Sequence, residues 1–195
     1  MSFWTSNAVE PKRNFRWRVS FNIPGSSGAN ATTPTPIWWA KTVDTPSYEV
    51  TSVEHSFFDN TFKFPGRVKW NDVKMTLVDP ITPNAVQATN QIILNSGYYI
   101  KDKDTADKDF GKKPTSITKS AAVSATGVVM IEILNGAGEP VETWTLKNPF
   151  ITNVSFSNLD YSNDDMRTID LTWRYDWAEC ENKDISNGIK DQFKK

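Results

Sequence analysis

Two side chains of this sequence could act as a nucleophile or a general base, Cys180 and His55, and each is the single residue of its type. A general base needs a positioned partner, and the neighbours of His55, Glu54 and Ser56, form no catalytic motif with it. A reactive thiolate needs electropositive surroundings, whereas Cys180 stands between two glutamates, which raise the pKa of a thiol. The sequence therefore predicts no catalytic residue and no enzyme.

Four aspartates in one short stretch could offer oxygen ligands to calcium: Asp102, Asp104, Asp107 and Asp109. The spacing of an EF-hand loop is not met, because its glycine position would fall on Asp107 and no glutamate closes the loop. A zinc site built from several histidines and cysteines is excluded by the single residue of each type. We predict no metal site and no cofactor, and interpret residues 98–120 as a polar surface loop.

Composition limits the class of protein further. The chain has 195 residues, 22 Lys plus Arg against 23 Asp plus Glu, and a net charge of −1, so it lacks the basic surface of a nucleic-acid binder. Eight Trp and eleven Phe indicate a packed core rather than a disordered chain. No apolar run approaches the roughly 20 residues of a membrane span, and the first residues show no signal peptide. We expect one domain over residues 1–195, made in the cytoplasm, without a membrane partner.

Alternating apolar and polar residues predict that most of the chain is β-structure. In residues 15–23 every second residue is apolar, from Phe15 to Ile23, as in a strand with one buried face. Similar patterns predict strands over residues 37–43, 67–78, 127–134, 141–146, 150–156 and 166–177. The expected fold is mainly β, a β-sandwich or half-barrel of about seven or eight antiparallel strands with one short α-helix and a long β-arm.

The arm is predicted over residues 44–64, as a hairpin that reverses near Asp59 and Asn60. Pro65 and Gly66 predict a turn after it, and a one-residue slip in the apolar pattern after Trp70 indicates a β-bulge across residues 71–72.

The single helix is predicted between two boundary signals. Thr82 and Pro83 are typical of a helix start, and Gly97 is typical of a helix end. Residues 1–13 are interpreted as an N-terminal arm and residues 178–195 as a polar C-terminal tail.

The tryptophans admit two interpretations. Trp173 and Trp177 share the parity of the apolar residues of the last strand, which favours the core or an interface. Trp38 and Trp39 are adjacent, so on a strand they would point in opposite directions, with one exposed or buried against a partner. The alternative is an aromatic platform for sugar or single-stranded nucleic acid, which would make the protein a Trp-rich ligand-binding module.

Three stretches, in their order and spacing, carry a resemblance to a known family. They are the strand-like residues 66–77, the residues 149–162, and the closing strand 168–177 with its aromatic end. Together they resemble the tail tube protein of contractile-tailed bacteriophages, a family similar in fold to the hemolysin-coregulated tube protein of type VI secretion. The sequence is longer than expected of a minimal tube protein, with additional residues near 24–36, 101–120 and 178–195.

The resemblance implies a structural subunit of a virion tail, assembled in the cytoplasm of the bacterial host. Six copies would form a ring, and rings would stack into a hollow tube inside a contractile sheath. The implied partners are further copies of the chain and the sheath, tape measure, baseplate and tail terminator proteins, while double-stranded DNA passes through the bore without specific binding. A baseplate tube initiator, or the tube of another contractile injection or secretion system, remains open as an alternative.

By the same resemblance, the arm should make contacts between subunits and rings. The candidate contact residues are Phe57, Phe58, Asp59, Asn60 and Phe62 around the turn, with Trp38 and Trp39. The alternative is that the arm's rings pack on the core of their own domain.

A conduit for DNA should not bind phosphates along its wall. The net charge of −1 therefore leads us to expect a bore that is acidic or neutral. The basic residues of the strands, Arg16, Arg18, Arg67 and Lys69, should be paired or turned elsewhere.

Overall fold

A computed structural model describes residues 11–21, 35–82, 84–98 and 116–182. Within these residues the chain forms eleven strands and two helices. In chain order they are β1 (Trp17–Phe21), β2 (Thr35–Pro36), β3 (Ala40–Val43), β4 (Tyr48–Phe57), β5 (Asn60–Trp70), β6 (Val73–Val78), α1 (Ala85–Asn95), α2 (Lys119–Thr126), β7 (Val129–Leu134), β8 (Pro140–Lys147), β9 (Phe150–Phe156), β10 (Thr168–Arg174) and β11 (Trp177–Asn182).

The strands form three antiparallel sheets. One sheet has five strands in the order β11-β8-β7-β1-β2, a second has four in the order β3-β6-β10-β9, and β4 pairs with β5 alone. The two larger sheets share one core, and neither closes into a barrel in the described part of the chain. The mainly β prediction, a sandwich with a long β-arm, is therefore confirmed.

Period-two alternation builds the core. In β6 the buried residues are every second one from Val73 to Leu77, and in β10 they run from Ile169 to Trp173. Val19 of β1 belongs to the same buried cluster from the opposite sheet. Both helices add buried residues to this cluster, so the helices cover the core rather than extend a sheet.

Several strand boundaries differ from the prediction. Trp38 and Trp39 lie in a turn, so the strand predicted over residues 37–43 begins only at Ala40. The strand predicted over residues 166–177 ends at Arg174, and Trp177 begins a further strand that pairs with β8 in the other sheet. Asp176 holds the chain between them, since its carboxylate accepts hydrogen bonds from Lys119 and Asn148.

The C-terminal tail prediction is therefore wrong for its first residues. Residues 178–182 belong to β11 and pair along β8, although their sequence is polar. An edge strand with one exposed face can be polar at most positions, so composition does not distinguish it from a tail. Residues 183–195 lie outside the described residues.

The helix predictions also need correction. The N-cap of α1 is Asn84, whose Oδ1 accepts a hydrogen bond from the Gln87 N–H at 2.8 Å, and not Thr82. A second helix, α2, begins inside the predicted polar loop, with the Thr118 hydroxyl as its N-cap. It has no long apolar stripe that would have revealed it in the sequence. Pro83 and residues 99–115, with the four aspartates, lie outside the described residues.

The arm is longer than predicted. Pro65 and Gly66 form no turn but lie inside β5, so the hairpin extends from Tyr48 to Trp70. The chain then leaves the hairpin at residues 71–72, where we predicted a bulge, and enters the four-stranded sheet as β6. The Asn71 N–H fixes this crossing point by donating to the Ser47 carbonyl at 2.9 Å.

Candidate assembly interface

The β4–β5 hairpin stands apart from the packed body. Its strands form a sheet of their own, and every residue from 48 to 69 is exposed. A strand of this length spans about 30 Å, so the tip lies well away from the hairpin's base. A two-stranded ribbon with both faces in water has little to stabilise it alone. The hairpin is therefore a candidate surface for contact with another molecule.

Two phenylalanines form the tip. The rings of Phe57 and Phe58 meet edge to face with centroids 4.6 Å apart, and the side chains are 60% and 88% exposed. Phe57 pairs with Asn60, so the two-residue loop is Phe58-Asp59, one residue earlier than predicted. Phe58 has a φ of 52°, a left-handed conformation that costs a non-glycine residue about 1–2 kcal/mol. The chain thus keeps an aromatic ring where glycine would fit more easily.

The half of the hairpin near the tip has one apolar side and one polar side. Val53 pairs with Phe64, and His55 pairs with Phe62, so these side chains share a face. On the other face Glu54 and Lys63 form an ion pair at 3.3 Å. We call Val53, Phe57, Phe62 and Phe64 the tip patch.

The half near the body is arranged in the same way. Tyr48 pairs with Trp70, their ring centroids being 5.1 Å apart, and Val50 pairs with Val68. The Glu49 carboxylate lies 3.7 Å from the Lys69 ammonium on the other face. We call Tyr48, Val50 and Val68 the base patch; all three side chains are more than half exposed.

A bulge separates the two halves. Val50 is opposite Val68 but Ser52 is opposite Pro65, so Gly66 and Arg67 together face Thr51. The Thr51 hydroxyl accepts from the Arg67 N–H at 2.9 Å and donates to the Arg67 carbonyl at 3.1 Å. A Cβ on Gly66 would lie 2.4 Å from the Thr51 hydroxyl oxygen and 2.9 Å from its carbonyl oxygen. The close approach of the two strands therefore requires glycine.

The base of the hairpin is fixed to the body by rings and an ion pair. The Trp70 ring lies 5.9 Å from that of Tyr175, and Arg174 makes two hydrogen bonds to Asp72, at 2.9 and 2.8 Å. These bonds lower the pKa of Asp72, so its carboxyl is charged at neutral pH. Burial, followed by the charge of Asp72, raises the pKa of Tyr175 to about 12. These contacts thus anchor the base of the hairpin to the body.

The predicted tryptophan candidates fall in different environments. Trp39 is 8% exposed and belongs to the core, whereas Trp38 is 75% exposed, so only Trp38 offers its ring to a partner. The expectation that one of the pair is exposed agrees with the structure. Trp173 is fully buried, but Trp177 is half-exposed because it belongs to β11 rather than β10.

Sequence reasoning named the tip residues but missed the rest of the exposed apolar surface. The missed residues are Tyr48, Val50, Val53, Phe64 and Val68. The available signal was the pattern of β5, in which apolar residues continue at every second position on both sides of Pro65. Interpreting Pro65-Gly66 as a turn concealed that continuity.

The residues with catalytic potential are not brought together. His55 lies exposed on the hairpin, and Cys180 lies exposed on β11. Partial desolvation of the thiol and the nearby charge of Glu142 raise the pKa of Cys180, which is the predicted direction, although the acidic neighbour lies on the paired strand. Among the described residues no group of three or more His, Cys, Asp or Glu could hold a metal ion. No helix in this part of the chain is long and apolar enough to cross a membrane.

Of the four basic residues that we expected to be paired or turned elsewhere, Arg67 lies exposed at the bulge of the hairpin, and the other three have partners or ring neighbours. Arg18 donates to Glu132 through two nitrogens, and this hydrogen bonding raises the pKa of Arg18. Lys69 lies beside Glu49, and the Arg16 guanidinium lies 5.5 Å from the centre of the Phe15 ring. Whether these strands face a bore remains a prediction.

Comparison with known proteins places the fold. No protein-family model matches the chain, and no curated protein matches it either. Among solved structures it is similar to a chain of the 6-fold symmetrised baseplate of the anti-feeding prophage. That match has a TM-score of 0.61 and 15% identity, and covers 89% of this chain and 97% of the other. The fold is that of proteins from contractile injection systems.

Two further structures support this assignment of the fold. The tube terminating cap of the anti-feeding prophage matches with a TM-score of 0.55 and 15% identity, over 92% of this chain and 97% of the other. The sheath-tube complex of an extracellular contractile injection system, PVC, matches with a TM-score of 0.51 and 17% identity, over 93% and 99%. An Hcp crystal structure matches at a TM-score of 0.43, which is too distant to support a conclusion. The resemblance expected from the sequence is thus confirmed for the fold.

Proposed function

We propose that this chain is a tube subunit of a contractile injection system, and that copies of it associate into rings that stack around a bore. The observation that carries the proposal is the β4–β5 hairpin, which is exposed along residues 48–69 and has an apolar side in each of its halves. The fold shared with chains of sheath-tube and tube-cap assemblies supports the same function.

The size of the exposed apolar surface fits an interface. A buried phenylalanine removes about 150–250 Å² from water, so the half-exposed to largely exposed rings of Phe57, Phe58, Phe62 and Phe64 present about 500 Å² in total. A standard interface buries about 800 Å² on each partner, and the largest apolar patch of a typical monomer is about 300–600 Å². The hairpin alone therefore supplies most of one interface.

The finer assignment follows the sequence resemblance. We propose homo-hexameric rings inside a contractile sheath, with the tape measure, baseplate and tail terminator proteins as further partners. The tube would belong to a virion tail, assembled in the host cytoplasm, and would conduct DNA. The chain's net charge of −1 and the pairing of Arg18 and Lys69 support a bore that does not bind phosphate.

A related candidate is a single-ring component, such as a tube initiator or tube terminator. The matches to a baseplate chain and to a tube terminating cap favour it specifically. The two candidates differ in the number of rings: a tube subunit stacks without limit, whereas an initiator or terminator stops after one ring.

Negative-stain electron microscopy and sedimentation velocity over a concentration series test the proposal. We expect hollow rings that lengthen into tubes, and abolition of both by Phe62→Asp. The matched control is Thr61→Asp, which places the same charge one residue away on the opposite face of the hairpin. Single rings at every concentration would favour the initiator or terminator. A monomer at every concentration, with sugar or single-stranded nucleic acid bound at Trp38, would instead support the ligand-binding module.

A further inference from the structure

The apolar pattern of the hairpin changes side along β4. Tyr48 and Val50 have one parity, whereas Val53 and Phe57 have the other. Side chains alternate strictly between the faces of a regular strand, so the apolar residues of β4 begin on one face and end on the other. The shift falls at Thr51 and Ser52.

The apolar residues of β5 keep one parity throughout, from Phe62 to Trp70. With regular pairing, Phe62 and Phe64 would therefore face away from Val53 and Phe57. The additional residue of the bulge, at Gly66-Arg67, prevents this mismatch. Each apolar residue of β4 consequently keeps a partner on its own face, but the base patch and the tip patch lie on opposite faces of the ribbon.

The ion pairs confirm this arrangement. Glu49 and Lys69 lie on the face opposite the base patch, and Glu54 and Lys63 lie on the face opposite the tip patch. Since the patches change face at the bulge, the ion pairs change face with them. Each face of the hairpin therefore carries one apolar and one charged region. Their order from base to tip on one face is the reverse of that on the other.

We propose that the bulge makes the hairpin two-sided, so that two different copies of this chain cover the base patch and the tip patch. The inference rests on the proposed function and adds the geometry of its contacts. One partner surface lying along one face of the ribbon could cover only one patch. Both patches are exposed on the isolated chain, so neither is covered by the chain's own body.

Charge balance and the symmetry of a stacked assembly indicate that the occupants are further copies. The charged residues beside the patches neutralise each other within the hairpin, so neither face attracts a strongly charged partner such as nucleic acid. The chain itself, with a net charge of −1, is a nearly neutral partner. In a stacked assembly each hairpin also has two kinds of neighbour of identical sequence, one beside it and one along the stack.

Two variants with opposite effects on length test the inference. One variant has a serine inserted after Thr51. Gly66 and Arg67 then each have their own partner on β4. The other deletes Thr51, Gly66 and Arg67 together. Both restore regular pairing and keep every apolar pair, and both move the tip patch onto the face of the base patch. The first lengthens the hairpin by one position and the second shortens it by one.

We expect both variants to retain the thermal unfolding curve of the body and to raise the critical concentration for assembly at least about tenfold. Because their lengths change in opposite directions, a loss in both excludes hairpin length as its cause, and cross-linking of the parent separates the facing of the tip patch from the twist of the bulge. If either variant assembles as the parent does, the inference is wrong and the bulge only adjusts twist. If the parent itself never assembles, the proposed function fails instead.

A second measurement does not depend on rebuilding the hairpin. A photoreactive phenylalanine analogue is placed at Phe64 in one protein and at Val68 in another, and cross-linked peptides of the assembled material are identified by mass spectrometry. We expect the two positions to label different, non-overlapping segments of neighbouring copies. Labelling of the same segment from both positions would overturn the inference.

Discussion

Removing the two rings at the hairpin tip gives the most direct test of its role. Phe57 and Phe58 are 60% and 88% exposed, so together they offer about 300 Å² to a partner. At about 25 cal/mol per Å², complete burial would contribute at most about 7 kcal/mol. Alanine substitution at interface residues that contribute strongly costs at least about 2 kcal/mol each, less when neighbours share a pocket. We expect Phe57→Ala with Phe58→Ala to weaken each contact by about 3 kcal/mol.

A loss of this size corresponds to at least about a hundredfold rise in the critical concentration, measured by sedimentation of assembled material. The melting temperature of the unassembled chain should not change, since exposed substitutions alter stability by no more than about 0.5 kcal/mol. The single variant Phe58→Gly is a control for backbone strain, because it removes one ring and also relieves the left-handed backbone at φ 52°. An unchanged critical concentration would refute the reasoning. A large fall in melting temperature would show instead that the rings pack on their own domain.

Three further outcomes are expected. Gly66→Ala should disturb the bulge by about 1–3 kcal/mol and weaken assembly in sedimentation, while the melting temperature of the body stays constant, because the added Cβ would meet Thr51 at 2.4 Å. Trp39→Ala should cost about 3–5 kcal/mol in denaturant unfolding, since Trp39 is buried, whereas Trp38→Ala should leave unfolding unchanged. The lowered pKa of Asp72 means that its pair with Arg174 stabilises the fold above the unfolded-state pKa, near 3.8, and that this contribution is lost as pH falls through the lower folded-state pKa. The free energy of unfolding of Asp72→Asn should therefore fall less steeply at acid pH than that of the parent. An unchanged fall would contradict the pairing.

Prediction from sequence succeeded where one physical rule decided the structure. The strands β6 and β10 bury every second residue, and their alternation is visible in the sequence because a half-buried strand must keep period two. The long arm was also predicted, since its extended pattern continues around a reversal.

Prediction was less successful where tertiary contacts decide. The short helix α2 has its two ends marked by Thr118 and Gly127, but its residues are small and lack a strong apolar stripe. The edge strand β11 is polar and is defined by its pairing with β8, which no local pattern encodes. Pro65 inside β5 was interpreted as a turn residue. It fits the strand because both strands of an isolated hairpin are edges, where a missing N–H disrupts no ladder bond to a further strand.

The candidate interface was likewise predictable only where a local sequence pattern marks it. The family resemblance and the aromatic residues around a reversal led us to predict Phe57, Phe58 and Phe62 as contact residues, since such rings are seldom left bare, and all three are exposed. The base patch could not be identified, because its exposure depends on Val50 and Val68 pairing beyond the reach of the core. Only the register across the bulge shows which side chains share a face.

The exposure of the whole hairpin has an evolutionary consequence. Residues 48–69 are all exposed, so a substitution there changes what the protein contacts without opening a cavity in the body. Selection on folding and selection on partner choice therefore act on separate parts of the chain. The arm can diverge, or be exchanged between lineages as one continuous segment, while the sandwich beneath it stays the same. On the proposed function, a change confined to the hairpin would alter which copies of the chain assemble together and would leave the folded body intact.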